Sequence, residues 1–209
     1  MVFILPMQLL AGGYLGKSNN IVIYGDELLT HGMYSIEYQR IFNRHFSLVS
    51  NFSHLNNSFK ADDGFKLIGE EGGVKVRGNE FHIGMIIGSM SANNVLPVGM
   101  SNGFKFGFGS YSAGDSLISN KYSTFCFEYI TRSTFNVYKN LNGFVGINIG
   151  VINAFGGDLE KKEDYFGFED GYNPFYLVQR GINKNYSLSG TSEAFLFRFC
   201  YGISYVFGK

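Results

Sequence analysis

In the C-terminal segment AFLFRFCYGISYVFGK, Phe195, Phe197, Phe199, Tyr201, Ile203, Tyr205 and Phe207 fall on one side of an extended chain. Arg198, Cys200, Gly202 and Ser204 fall on the other. A side-chain period of two marks a β-strand whose faces meet different surroundings. The same pattern recurs along the chain. Tyr34, Ile36 and Tyr38 alternate with Ser35, Glu37 and Gln39, and Phe104, Phe106 and Phe108 oppose Lys105, Gly107 and Gly109. Phe81, Ile83, Met85 and Ile87 oppose His82, Gly84 and Gly88, while Phe125, Phe127 and Tyr129 oppose Thr124, Cys126 and Glu128. Large apolar residues stand against small or polar ones throughout.

The alternation predicts eight strands, near 20–28, 32–42, 45–58, 74–90, 102–112, 121–138, 142–155 and 193–207. From the third strand onward, shorter connections (43–44, 91–101, 139–141) alternate with mostly longer, more polar ones (59–73, 113–120, 156–192). An even strand count with short turns at one end and long loops at the other is the organisation of an outer-membrane barrel, with both termini on the periplasmic side. Pro6, Pro97 and Pro174 all avoid the expected strands, as ladder hydrogen bonding requires.

Two eight-stranded architectures compete for this pattern. A soluble, lipocalin-like barrel would turn the aromatic face inward around an apolar ligand and show water the other face. That other face is mostly Gly, Ser, Asn and Thr, whereas water-exposed sheets carry many charges. Only 16% of the chain is charged, against about 25% in an ordinary soluble domain. The 28 glycines, 22 phenylalanines and 14 tyrosines suit a barrel with a crowded interior and a lipid-facing wall. Expected, then, is an all-β, eight-stranded, antiparallel up-and-down transmembrane barrel over 20–209, too narrow to act as a general porin. Tyr38, Tyr111, Tyr122, Tyr138, Tyr201 and Tyr205 are candidates for its interfacial girdles.

Residues 1–19 read as a leader: the apolar stretch Val2–Leu10 followed by small residues is like the middle and end of a secretory signal, without its basic start. An extra strand is the alternative. Seventeen basic and seventeen acidic residues cancel, so nothing points to nucleic acid as a partner. Cys126 and Cys200 lack metal-ligand spacing; they share a face, which leaves a bridge open. No cofactor or metal is expected.

The stretch NNIVIYGDELLTHGMYSIEYQRIF, the Phe/Ser/Leu alternation after it and the closing GISYVFGK resemble the small outer-membrane β-barrel proteins of Bacteroidota-type bacteria. More loosely, the chain is similar to OmpX and the OmpA transmembrane domain. The resemblance covers most of 20–209 and implies a bacterial outer-membrane location. A terminal aromatic usually signals insertion in that family, but here Gly208 and Lys209 follow Phe207.

Three groups of residues are candidates for function. Glu37, His82, Lys105, Glu128 and Arg198 are expected to point inward as a polar network plugging the lumen, or to line a narrow selective conduit. In the longest loop, Tyr165, Phe166, Phe168, Tyr172, Phe175 and Tyr176 interleave with acidic residues and are candidates for binding a protein partner. His54 with Ser53 and Asp62 or Asp63 is the best version of a lipid-modifying triad, but no nucleophile motif accompanies it and no catalytic residue is assigned. The expected role is non-enzymatic: structural, adhesive or accessory, with outer-membrane lipid and a protein of an envelope complex as partners. A lipid-modifying enzyme, a soluble lipid binder and a narrow channel are the alternatives.

Overall fold

The computed structural model describes residues 17–26, 33–43, 45–59, 74–88, 98–114, 119–155, 186–188 and 191–208. Among these, the strands are β1 (Asn19–Tyr24), β2 (Met33–Ile41), β3 (Phe46–Phe59), β4 (Val74–Gly88), β5 (Gly99–Gly114), β6 (Ser119–Tyr138), β7 (Leu141–Phe155), β8 (Tyr186–Leu188) and β9 (Thr191–Phe207). Neighbours in sequence pair antiparallel from β1 to β7, β7 pairs with β9, and β9 returns to β1. The sheet therefore closes into an eight-stranded barrel, with the three-residue β8 attached to the outer end of β9. Closure satisfies the ladder groups that an open sheet would expose along its first and last strands.

Side-chain direction follows the alternation. Ile36, Phe52, Phe81, Ile83, Phe106, Phe108, Val145, Phe199 and Ile203 are exposed on the outer wall, while Glu37, Asn51, His82, Lys105, Glu128, Asn148 and Arg198 are buried inside. This is the face assignment read from the sequence, and the reverse of the lipocalin-like one. Aromatic pairs brace the wall between neighbouring strands: Phe106 and Phe127 have ring centroids 5.1 Å apart, as do Phe108 and Phe125. At the end where the chain enters and leaves, Ile41, Val49, Ile86, Ile130 and Val206 form a buried apolar cluster inside the barrel.

Residues 1–16 of the expected leader lie outside the described residues; at its last positions Ser18 accepts a hydrogen bond from the Ile41 amide (2.8 Å) and β1 begins at Asn19. Two expectations change. The first strand stops at Tyr24, short of the 28 that alternation predicts, because Gly25 and Asp26 turn helical. Asp26 is buried there, and its Oδ1 accepts from the Tyr201 amide (3.3 Å), replacing a ladder bond just beyond the last β1–β9 pair, Tyr24 with Gly202. Tyr111 is not on the wall. Phe104, Phe106 and Phe108 face outward, so the odd-numbered Tyr111 faces inward, where it is buried and donates a short hydrogen bond to Glu80 Oε2. Tyr38, Tyr138, Tyr201 and Tyr205 do stand outside, and the Tyr122 side chain lies outside the described residues.

Candidate functional site in the barrel interior

All five residues expected in the lumen network are buried in it: Glu37, His82, Lys105, Glu128 and Arg198. The same surface contains Tyr24, Asp26, Glu80 and Arg132, which are not among the expected network although the parity of their strands admits most of them. They form two clusters joined by Arg198.

The first cluster centres on Glu37, which is 0% exposed. Lys105 Nζ makes a close ion pair with Glu37 Oε2, and Arg132 Nη1 reaches Oε1 at 3.0 Å. The Tyr24 hydroxyl donates to Glu37 Oε2 (2.6 Å) and accepts from Lys105 Nζ (2.8 Å) and from Arg132. Arg132 also lies over the Phe144 ring, 4.7 Å from its centroid. An isolated buried charge costs several kcal/mol, so one carboxylate between two cations and a phenol is the form in which such charges persist.

The second cluster lies on β4 and β6, with β5 between them. His82, Gly107 and Cys126 occupy one row of the ladder. A Cβ on Gly107 would sit 1.8 Å from His82 Cδ2 and 2.4 Å from Cys126 Sγ, so only glycine lets the two side chains meet across β5. His82 Nε2 is 3.1 Å from Cys126 Sγ, 2.6 Å from Glu80 Oε1 and 3.8 Å from Glu128 Oε1. The Asn148 amide holds Glu128 Oε2 (2.7 Å), and Tyr111 holds Glu80. His82 Nδ1 is 3.2 Å from Asn51 Oδ1, whose amide nitrogen donates to Ser35 Oγ (2.7 Å). That amide orientation leaves Oδ1 to accept from Nδ1–H and turns Nε2 toward the thiol and carboxylates.

Arg198 bridges the two clusters, with Nη1 3.4 Å from Asp26 Oδ2, Nη2 4.0 Å from Glu128 Oε2 and its guanidinium 5.4 Å from the Tyr24 ring centroid. Cys126 and Cys200 are both free thiols, so the open question of a bridge is answered, and Cys200 donates instead to Asn148 Oδ1 (3.4 Å). Spacing along the chain suggested no metal set, yet Glu80, His82, Cys126 and Glu128 are all buried with one ligand atom of each within 4.8 Å of the others. The signal was present as E-x-H in β4 and C-x-E in β6, pairs that an extended strand puts on one face.

Ser53 and His54 project to opposite sides of β3. Ser53 is buried and hydrogen-bonded to Ser35 Oγ (2.9 Å), while His54 stands on the exposed face beside Asn79 Oδ1 (2.8 Å). Asp62, Asp63 and the partner-loop candidates Tyr165, Phe166, Phe168, Tyr172, Phe175 and Tyr176 lie outside the described residues. No protein-family model, curated protein or solved structure matches the chain.

Proposed function

We propose that the chain is a bacterial outer-membrane protein that crosses the bilayer as a barrel plugged by its own side chains. In this reading both termini are periplasmic, and the barrel has a structural, adhesive or accessory role in the envelope, with lipid and an envelope protein as partners. One observation carries the reading: the polarity of a soluble protein is inverted. Phe199 is 67% exposed and Phe108 58%, whereas Glu37 is 0% and Lys105 2% exposed. Soluble monomers rarely leave contiguous apolar surface beyond a few hundred Å², and here it encircles the molecule. Hydrocarbon accepts such a wall and admits a sheet only when it is closed.

The plug argues against a diffusion pore, since charged side chains bonded to one another cross the lumen and an apolar cluster fills its turn-side end. The family resemblance of the sequence adds the Bacteroidota-type outer membrane as the setting. Envelope fractionation with heat-dependent gel mobility, followed by planar-bilayer recording, tests both parts. The expected result is detergent-requiring extraction from the outer membrane, a mobility shift on boiling and no steady conductance. A chain recovered in water without detergent would overturn the membrane reading, and sustained ion current would overturn the plug.

A further inference from the structure

We infer that Glu80, His82, Cys126 and Glu128 form a binding site for a divalent transition-metal ion, with zinc the best fit. The inference rests on the closed barrel and not on which role the barrel has in the envelope. Its first support is the donor set. One imidazole nitrogen, one thiol sulfur and two carboxylate oxygens are ligand types that zinc accepts in fourfold coordination, while calcium and magnesium take oxygen ligands.

The second support is geometric. Bond lengths of about 2.0–2.3 Å to a tetrahedral ion set its ligand atoms roughly 3.3–3.8 Å apart. Four of the six separations are 2.6 Å for His82–Glu80, 3.1 Å for His82–Cys126, 3.8 Å for His82–Glu128 and 4.0 Å for Cys126–Glu128, and all six lie within 4.8 Å. Each is within about 1 Å of the tetrahedral range, a distance that small side-chain rotations cover without moving a strand.

Third, the ligands are already oriented from behind. Histidines that bind metals pass their other ring N–H to a carbonyl or carboxylate, and ligating carboxylates are themselves hydrogen-bonded. Asn51 takes His82 Nδ1–H, Asn148 holds Glu128 and Tyr111 holds Glu80.

Binding forms four metal–ligand bonds with no change in oxidation state; the Cys126 thiol proton and the proton held between His82 Nε2 and Glu80 Oε1 both leave to solvent as the ion enters. The bound ion would tie β4 to β6 across Gly107. Cobalt(II) replaces zinc in such sites and reports its ligands by absorption, so it is the probe. The full chain is folded in detergent, its folding is checked by heat-dependent mobility, and Co²⁺ is titrated in.

The expected result is about one ion per chain, visible bands of tetrahedral intensity, a thiolate-to-cobalt band in the near ultraviolet, and loss of all bands on adding Zn²⁺. Cys126 and Cys200 are the chain's two cysteines. Persistence of the thiolate band in Cys200→Ser therefore assigns it to Cys126 even if Cys126→Ser fails to fold. No Co²⁺ uptake by the folded chain, or a thiolate band that disappears with Cys200→Ser, overturns the site. Fractionation is a separate readout, so failure of the metal site and failure of the membrane reading are distinguishable.

Discussion

Around Glu37, two cations and a phenol converge on one carboxylate; around His82, two carboxylates and a thiol converge on one imidazole. Both clusters are buried in the same lumen and supplied by the same kind of strand alternation, so burial does not distinguish them. Charge composition does. The Glu37 carboxylate has its counter-ions and a phenol bonded to it, although the buried Arg132 Nε beside it has no hydrogen-bond partner among the described residues. The His82 cluster has a different balance, with electron-pair donors facing one another and the permanent cation Arg198 at its edge. The first arrangement locks strands together; the second can receive an ion.

The largest effect is expected from breaking the lock. Glu37→Gln removes the charge that Lys105 and Arg132 share and leaves two buried cations facing each other. Removing one partner of a buried pair costs about 3–5 kcal/mol, and urea unfolding of the detergent-folded barrel, followed by gel mobility, should show a loss of that order. Replacing Glu37, Lys105 and Arg132 together by methionine should cost less than the single change, because no orphaned charge remains. A triple variant weaker than the single would mean that the ion pairs contribute net stability beyond what packing replaces.

A smaller effect is expected at the other cluster. Gly107→Ala puts a methyl group where His82 and Cys126 now meet, and overpacking of this kind costs about 1–3 kcal/mol. The strands would survive, but His82 and Cys126 would be forced apart, so the folded variant should show no thiolate band with Co²⁺. A variant that keeps both wild-type stability and the band would remove Gly107 from the account of the site.

The two clusters were not equally legible in the sequence. Closure, strand order and the direction of each face follow from alternation and connection length, because a period of two decides the surroundings of every second residue. Glu37, Lys105, Glu128 and Arg198 were found that way, each as a charge opposite an aromatic run. Residue type misleads at Tyr111: a tyrosine suits an interfacial girdle, but two steps from the outward Phe108 put position 110 outside and 111 inside. Glu80 and Arg132 follow from the same parity in β4 and β6. What alternation does not give is which inward residues meet. The His82–Cys126 contact needs the register of three strands and the missing side chain at Gly107, and Asp26 enters the lumen only because β1 ends two residues earlier.

The smallest expected effect, at Tyr111, gives the most direct test of the difference between the clusters when set beside Tyr24, because the same hydroxyl can be removed from each. The Tyr24 hydroxyl donates to Glu37 and accepts from Lys105 and Arg132, so Tyr24→Phe withdraws a group shared by three charges. The Tyr111 hydroxyl donates to Glu80, which also has His82 against its other oxygen. Hydrogen bonds to charged groups contribute about 1.5–3 kcal/mol each; Tyr24→Phe should fall in the upper part of that range. Tyr111→Phe should fall at the lower end, about 1.5 kcal/mol, since Glu80 keeps a partner. The lesser loss should shrink further when Zn²⁺ is present, because the ion then holds Glu80 directly, whereas zinc should leave the Tyr24→Phe loss unchanged. Equal losses in the two variants, or a zinc effect at Tyr24, would show that the lumen behaves as one continuous network.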